Sequence, residues 1–280
     1  MDVIHTVADL RKRLQGEPSV ALVATMGNLH DGHISLVDIA HEHAACVAAS
    51  IFVNHLQFGP GGGDFARYPR TLPEDCAKLE QAGCHVVFAP EEKEMYPGPQ
   101  EILVTPPQAA DQLCGTFRPG HFQGVVTVVS KLFNIFRPQT AVFGKKDYQQ
   151  LFVIRELVKQ LNFGVDIVGG ETIRDPDGLA MSSRNGYLTR EERAVAALLF
   201  HSLRKIKKSV EGGSRRFAEL EEAATAELTK AGWRVDYVAM RNQAQLTPPG
   251  PKDAELVALG AAWRGATRLI DNVEIGNRAP

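Results

Sequence analysis

Two histidines, His30 and His33, stand three residues apart in the segment MGNLHDGHISLV, directly after an apolar run that predicts a buried strand. The residues that follow have helical periodicity, so the pair lies at a strand–turn–helix junction. Free N–H groups at a helix N-terminus favour anions, and imidazoles there can donate hydrogen bonds to phosphate oxygens. The alternatives are core packing and a metal site, but a metal needs further ligands, and His41 and His43 lie more than a turn along the helix. The context favours a phosphate site.

Two more polar segments carry groups that bind phosphate. In FGKKDYQQ, a lysine (Lys145 or Lys146) lies just past an apolar run, at the carboxyl edge of the predicted sheet, where its ammonium can neutralise phosphate charge. Asp147 beside it can accept a hydrogen bond from a ribose hydroxyl. The segment MSSRN offers two hydroxyls and a guanidinium that can wrap a polyphosphate, although alone it is more typical of a solvated turn before a helix.

Apolar runs alternate with helical segments through the first part of the chain. The runs predict buried strands at residues 20–25, 46–53, 85–90, 140–144 and 165–170. The stretch FQGVVTVVSKLFNIF is rich in β-forming residues, but its polar residues from Thr127 to Asn134 recur at helical spacing, which predicts a helix. This order predicts an α/β fold with a Rossmann-like, doubly wound parallel sheet in residues 1–174. Such sheets bind ligands at the carboxyl ends of strands, where the strand order reverses.

The pattern changes after about Arg174. A polar, turn-rich stretch leads into long charged helical segments at residues 189–209 and 214–232, and then into three short β-like runs. We interpret residues 175–280 as a smaller α+β domain that carries the MSSRN loop as a lid. Pro248, Pro249 and Pro251 mark a surface loop within it.

The composition is that of an ordinary globular protein, since the 280 residues are 44% hydrophobic and 23% charged, with a net charge of −2. This balance gives no reason to expect a nucleic acid or a membrane held by bulk charge. The N-terminal residues lack the apolar region of a signal peptide, and no apolar stretch approaches the ~18 residues of a membrane span. The cysteines, none in a C-x-x-C pair, are interpreted as reduced thiols, which predicts a cytoplasmic location. They are Cys46, Cys76, Cys84 and Cys114.

A strand followed by H-x-G-H at a helix start resembles the signature of the nucleotidyltransferase superfamily. The wider string TMGNLHDGHISLV resembles the pantoate–β-alanine ligase (pantothenate synthetase) family. Further stretches agree in order and spacing: SIFVN with QF, RYPRTLPEDC, RPGHFQGVVTVVSKLFNI followed by FGKKDYQQL, and DGLAMSSRNGYLT. The resemblance extends from about Val20 to the terminal RLIDN. It implies a homodimeric ligase that uses ATP to join pantoate to β-alanine through a pantoyl adenylate, releasing AMP and pyrophosphate.

The resemblance also implies roles for individual residues. The implied catalytic groups, which meet the charge on the phosphates, are His30, His33, Lys146 and Arg184. The implied ATP-binding set is Met26, Gly27, Asn28, Leu29, His30, Asp31, Gly32, His33, Gly144, Lys145, Lys146, Asp147, Ile173, Met181, Ser182, Ser183 and Arg184. Gln57 and Gln150 are implied to bind pantoate. Magnesium is implied to bridge the triphosphate, with Asp75 holding it through water.

The chain departs from the family pattern at four positions: Ala24 and His55 replace prolines, and Lys145 and Cys114 replace glutamates. Because Lys145 reverses a charge beside the phosphate lysine and His55 precedes the pantoate site, we expect altered substrate affinity rather than an altered reaction type. The glycine-rich FGPGGGDF lacks the lysine of a phosphate-binding loop and is interpreted as a flexible turn beside the substrate pocket.

Two other functions are compatible with these residues. One is an adenylyltransferase that transfers AMP to a small phosphate ester. The other is a nucleotide-binding regulator that has lost catalysis, motivated by the departures at His55, Cys114 and Lys145.

Overall fold

The computed structural model describes residues 1–59 and 65–276, so most of the turn predicted at FGPGGGDF lies outside the described residues. The chain divides into two compact units. The first comprises Met1–Asp111, Arg118–Lys145 and Gln150–Glu171, and the second comprises Gln112–Phe117, Lys146–Gln149 and the chain from Thr172 onward. Two short segments that precede residue 172 therefore belong to the second unit, a feature that the predicted boundary after residue 174 does not include.

The first unit contains a six-stranded parallel sheet. Its strands are β1 (Asp2–Ile4), β2 (Val20–Thr25), β3 (Cys46–Ile51), β4 (Val86–Phe88), β5 (Thr140–Gly144) and β6 (Asp166–Gly170). They lie in the order β1-β4-β3-β2-β5-β6. The predicted doubly wound parallel sheet is confirmed, and β2 and β5 have the predicted bounds. Strand β1, which pairs with β4, is too short to be indicated by a sequence pattern.

Helices connect these strands. They are α1 (Val7–Leu14), α2 (Asp31–His41), α3 (Leu72–Gln81), α4 (Glu92–Met95), α5 (Cys114–Phe117, in the second unit), α6 (His121–Phe136) and α7 (Tyr148–Gln160). Successive residues of a strand point to opposite sides of the sheet, and helices of the first unit pack against both faces. Val23 of β2 packs in a core with Val37 of α2 and Leu79 of α3. On β4, the ring of Phe88 lies 5.7 Å from that of Phe136 in α6.

Helix α6 confirms the helical interpretation of its β-rich sequence. Two of its polar residues, Thr127 and Lys131, bond to the loop that precedes the helix. The Thr127 hydroxyl oxygen accepts the N–H of Val104 at 3.1 Å, and Lys131 Nζ donates to Gln100 Oε1 at 3.1 Å. These two hydrogen bonds hold the segment at residues 100–104 against the helix.

The second unit is built on an antiparallel three-stranded sheet, which confirms the predicted α+β class. Its elements are α8 (Arg190–Val195), α9 (Leu198–Glu211), α10 (Phe217–Lys230), β7 (Arg234–Asn242), β8 (Leu256–Arg264) and β9 (Thr267–Ile275). Its separate core includes Leu203, Leu228, Trp233, Met240 and Leu256. No helix of the described chain combines the length and apolarity that crossing a membrane requires.

The prediction of one continuous helix at residues 189–209 is wrong. The helix breaks between α8 and α9 at Ala196 and Ala197, which are both buried. The N–H of Ala196 bonds to the carbonyl of Arg193 at 3.2 Å, a tighter turn than that of an α-helix. The Arg193 guanidinium also bonds to Asp175 at 2.8 Å and to Asp177 at 2.5 Å. The local helical pattern therefore does not indicate the break, which falls at two buried alanines.

Candidate functional site

The sheet topology of the first unit defines where a ligand binds. Strands β2 and β5 are parallel neighbours, and the chain winds away from β2 on one side and from β5 on the other. The crevice at their carboxyl ends is therefore the place where sheets of this kind bind ligands. The residues that follow β2 form the loop with the two histidines, and Lys145 follows β5.

The histidine loop, residues 26–33, turns sharply after β2. Both Gly27 (φ +83°) and Asn28 (φ +52°) have left-handed backbone conformations. A Cβ atom at Gly27 would lie 2.9 Å from Asp75 Oδ2 and 3.2 Å from the side chain of Ile51, so the turn passes too close to its neighbours for any side chain there. Only glycine fits this position without strain.

The two histidines are held against each other at the start of α2. His30 has extended backbone angles and is the N-cap, and its carbonyl accepts the N–H of His33 at 2.7 Å. The N–H of His30 bonds to Nδ1 of His33 at 3.3 Å, and the ring centroids are 4.1 Å apart. Since Nδ1 of a neutral His33 accepts this bond, the ring proton lies on Nε2, which is a donor suited to an anion. Helix α2 begins at Asp31, whereas the sequence pattern predicts a helix that follows both histidines, so His33 lies in its first turn.

A buried carboxylate on α3 fixes this loop. Asp75 is 1% exposed, and its oxygens accept the N–H of Asn28 at 2.9 Å and that of Leu29 at 2.7 Å. The Thr71 hydroxyl donates to the same carboxylate at 3.1 Å. Both oxygens thus accept hydrogen bonds from protein donors, and the implied role of Asp75 in holding magnesium through water stays a prediction. Within residues 1–59 and 65–276, His, Cys, Asp and Glu side chains form no group of three that suits a metal.

Gln57 is placed by its neighbours after β3. Its amide oxygen accepts from Asn54 Nδ2 at 3.2 Å, and its amide nitrogen lies 3.0 Å from the sulfur of Met26. The Tyr96 hydroxyl donates to Asn54 Oδ1 at 2.7 Å, and burial raises the pKa of Tyr96 well above its ordinary value, so this donor stays protonated. His121 of α6 bonds to the Gln57 carbonyl at 2.9 Å. A predicted substrate residue is therefore buried in a fixed network beside the histidine loop.

The two neighbouring lysines after β5 have different environments. The side chain of Lys145 is buried in the first unit and forms an ion pair with Glu171. Glu171 therefore balances the charge of Lys145, the residue that replaces a glutamate of the family pattern. Lys146 belongs to the second unit, where Asn272 Nδ2 donates to its carbonyl at 2.9 Å. Its Nζ lies 3.9 Å from a carboxylate oxygen of Asp147.

The two glutamines of FGKKDYQQ also differ. Gln149 is buried in the second unit, where its side chain accepts the N–H of Cys114 at 3.0 Å and donates to the Gln112 carbonyl at 2.8 Å. Gln150 is half-buried and belongs to the first unit, as Gln57 does. The structure thus gives Gln149 a structural role and leaves Gln150 as the candidate ligand.

The serine–arginine segment, residues 181–187, forms a short 3₁₀ turn from Ser183 to Tyr187 in which no residue is buried. The Ser182 hydroxyl accepts the N–H of Arg184 at 3.3 Å, and Asn185 Nδ2 donates to the Ala180 carbonyl at 3.1 Å. At its start, the N–H of Met181 bonds to the carbonyl of Ile173 at 3.0 Å. The implied phosphate ligands of this segment therefore lie half-exposed on a turn held by local hydrogen bonds.

Two departures from the family pattern have local partners. Cys114 Sγ lies 3.1 Å from the Tyr237 hydroxyl and 3.6 Å from both terminal nitrogens of Arg268. That guanidinium also bonds to Asp236 at 2.7 Å, so the thiol packs against an arginine that already has a carboxylate partner. His55 Nδ1 lies 3.1 Å from a carboxylate oxygen of Glu92. Neither departure touches the histidine loop in these contacts.

The cysteines have free thiols, and burial raises the pKa of Cys84 to about 11, which makes that thiol unreactive at neutral pH.

Sequence reasoning missed the residues that support the site. Asn54, Tyr96, His121 and Lys78 hold functional groups through contacts between distant parts of the chain. One signal was present, because Asn54 is a polar residue at the end of a buried strand, where sheet edges collect functional groups.

Comparisons with known proteins agree over nearly the whole chain. The family profile described as pantoate–β-alanine ligase matches residues 2–274. A pantothenate synthetase of Nitrosospira multiformis is 58% identical over 275 residues, which cover 98% of this chain and 98% of that protein. The crystal structure of pantothenate synthetase from Thermus thermophilus has a TM-score of 0.92 at 43% identity, covering 99% of this chain and 100% of that chain. The pantoate–β-alanine ligase from Francisella tularensis, complexed with β-γ ATP and β-alanine, has a TM-score of 0.82 at 32% identity, covering 98% of this chain and 97% of that chain.

Proposed function

The chain belongs to the pantoate–β-alanine ligase family, and from this premise we propose that it condenses pantoate with β-alanine, with cleavage of ATP to AMP and pyrophosphate. The observation that carries the proposal is the histidine loop, which brings two imidazoles to the first turn of a helix at the carboxyl end of β2. A solved relative that was complexed with β-γ ATP and β-alanine supports both substrates.

In the first step, a carboxylate oxygen of pantoate attacks the α-phosphorus of ATP. A P–O bond to pantoate forms, the bond between the α-phosphorus and the bridging oxygen breaks, and pyrophosphate leaves. Pantoate is already ionised at pH 7, so the step needs no general base. Catalysis then depends on positioning and on donors that meet the developing phosphate charge.

The proposed phosphate ligands come from several elements. The imidazoles of His30 and His33 and the N–H groups of the first turn of α2 supply donors from the first unit. By the family resemblance we assign Lys146 and Arg184 to the phosphates of ATP, with Ser182 and Ser183 as hydroxyl donors. Asp147 is assigned to the nucleoside. These assignments follow from the family resemblance and from the chemistry of each group.

Magnesium is proposed as a co-ligand of ATP. The carboxylate of Asp75 is occupied by backbone N–H groups, and the described residues contain no ready-made cluster of metal ligands. Mg²⁺ prefers phosphate oxygens and water, so the triphosphate and bound water would supply most of its ligands. Bound in this way, the ion would neutralise phosphate charge.

The proposed pantoate ligands are Gln57 and Gln150. An amide can donate a hydrogen bond to the pantoate carboxylate and accept one from a hydroxyl. Unlike a cationic side chain, it does not neutralise the carboxylate, which is the nucleophile. In the second step, the amine of β-alanine attacks the acyl carbon, the C–N bond forms, the acyl C–O bond breaks and AMP leaves. Exclusion of water would protect the adenylate between the steps.

We further propose that the protein works as a homodimer in the cytoplasm. The family resemblance supports the dimer, and the use of ATP supports the location. Light scattering at several protein concentrations tests the first proposal, and cell fractionation tests the second.

The function is tested by measuring pyrophosphate release with pantoate alone and then with pantoate and β-alanine. We expect one slow turnover with pantoate alone, sustained turnover with both, and pantothenate as the product. An adenylyltransferase would instead transfer AMP to a phosphate ester with neither substrate present. A catalytically inactive regulator would bind ATP and release no pyrophosphate.

A further inference from the structure

We propose that Asp75 and Lys78, here called the α3 clamp, are positioning residues that hold the histidine loop in its working shape. The inference rests on the proposed function and extends it, since it assigns these two residues to the reaction through His30 and His33. Neither residue is required to touch ATP.

The clamp forms hydrogen bonds with both the N–H and the carbonyl of Leu29. The N–H of Leu29 donates to Asp75 Oδ1 at 2.7 Å, and the carbonyl of Leu29 accepts from Lys78 Nζ at 2.5 Å. Leu29 is 2% exposed, and His30 follows it directly. A shift of this residue would therefore move the N-cap of α2.

The loop has a shape that needs such support. Gly27 and Asn28 are both left-handed, and Asn28 carries a steric cost that glycine does not. The N–H groups of Asn28 and Leu29 point to the buried Asp75, whose carboxylate replaces the water they lose. The clamp satisfies the donors that the turn exposes and so stabilises an otherwise unfavourable backbone.

The histidines depend on that backbone. His30 N–H bonds to the ring of His33, and the His30 carbonyl accepts the N–H groups that start α2. A donor that misses a transition-state oxygen by about 1 Å can cost about 100-fold in rate. The clamp thus acts on catalysis through the direction of two imidazoles.

The main test is Asp75→Asn, which keeps the size of the side chain but replaces one acceptor by an NH₂ group. We expect kcat for pyrophosphate release to fall about 30-fold while KM for ATP stays within about threefold. The matched control is Glu80→Gln on the same helix, where the carboxylate pairs with the N-terminus; it should stay within about twofold.

A double-mutant cycle separates positioning from general structure. If Asp75 acts through the histidines, Asp75→Asn should cost less than about threefold in a His30→Ala/His33→Ala background. A full loss of about 30-fold in that background, or an unchanged kcat in the single variant, would overturn the proposal.

Lys78 provides a second variant that leaves the buried carboxylate intact. Lys78→Met should lower kcat about fivefold, and Lys78→Arg, which keeps a cationic donor, should restore most of it. Thr71→Val removes a donor to Asp75 but no bond to the loop, so it should have a smaller effect than Lys78→Met. Equal loss in the Met and Arg variants would contradict the role of Lys78.

Hydrogen exchange distinguishes failure of the clamp from failure of the proposed function. Asp75→Asn should speed amide exchange in the peptide that covers residues 26–34, whether or not substrates are present. Unchanged exchange would overturn the clamp. A wild-type chain that releases no pyrophosphate with pantoate would overturn the proposed function, and the exchange result would still decide the clamp.

Discussion

The histidine loop and the serine–arginine segment are both assigned to ATP phosphates, yet the protein builds them differently. The loop is bonded to a carboxylate that is 1% exposed, and its turn leaves no room for a Cβ atom at Gly27. In the segment no residue from Ser183 to Tyr187 is buried, and bonds such as that of Asn185 to Ala180 are local. The loop is thus anchored by a buried carboxylate from a distant helix, whereas the segment lies nearer the surface on a short turn.

This difference predicts which kinetic parameter each of the two regions mainly affects. Preorganised donors stabilise a transition state without rearranging, so they should affect mainly kcat. A turn held by local bonds can adjust to a ligand, but ordering it costs free energy that appears in the affinity. The comparison therefore predicts different kinetic signatures for substitutions in the two regions.

The largest effect is expected for His33→Ala. Loss of a transition-state donor should lower kcat at least about 100-fold, with KM for ATP changed less than about threefold, because the rest of the loop is already formed. Steady-state pyrophosphate release at varied ATP measures both. His43→Ala, an exposed histidine just past α2, is the control and should match the wild type. Unchanged turnover in His33→Ala would refute the role of the loop.

Arg184→Ala should have a smaller and different effect. We expect kcat to fall about tenfold and KM for ATP to rise about tenfold, since this guanidinium helps to order its own segment around the phosphates. The same assay at varied ATP separates the two parameters. A pure kcat effect, as for His33, would show that the two regions are equally preorganised.

A pair of glycine substitutions compares the backbones directly. Gly27→Ala forces a left-handed alanine against Asp75 and Ile51, and should lower the free energy of unfolding by about 1–3 kcal/mol. Gly186→Ala has open space around its Cβ atom and should change that free energy by less than about 0.5 kcal/mol. Urea denaturation of both variants tests this. Equal costs at the two positions would remove the contrast between the regions.

The smallest effect concerns the turn before the serine–arginine segment. Arg193 lowers the pKa of Asp177 below its ordinary value, chiefly through a side-chain hydrogen bond. A carboxyl group whose pKa is lowered by folding stabilises the folded state at every pH above its ordinary pKa. This stabilisation is lost as the pH falls through the lowered pKa. Because Asp177 is exposed, solvent screening limits this to less than about 1 kcal/mol. Arg193→Gln should therefore reduce stability in urea at about pH 6 and have little effect near pH 2.

Much of the fold could be predicted because buried parallel strands are apolar throughout. Thr140–Gly144 shows this, since its bounds follow from residue types alone. Helix α6 was predictable because its polar residues keep helical spacing. The break at Ala196 was not, because Ala196 and Ala197 are strong helix formers and no residue type marks the turn.

The candidate site likewise contains residues that the sequence predicted and residues that it did not. The histidines and the lysine were indicated by motifs that stand at strand ends. The role of Asp75 was not, because a bond between residues 46 or 47 positions apart leaves no local pattern. The pairing of Lys145 with Glu171 was hidden for the same reason, and it turns an apparent charge reversal into a balanced pair. Sequence motifs thus predict the groups that meet a ligand better than the groups that hold them.

The most direct test of the central claim follows oxygen atoms. Pantoate labelled with ¹⁸O at both carboxylate oxygens is incubated with ATP, β-alanine and the protein. The masses of the products are then measured by mass spectrometry. Attack on the α-phosphorus predicts one ¹⁸O in AMP and the other in the new amide of pantothenate. Unlabelled AMP, or label in inorganic phosphate alongside ADP, would contradict an adenylate formed at the histidine loop.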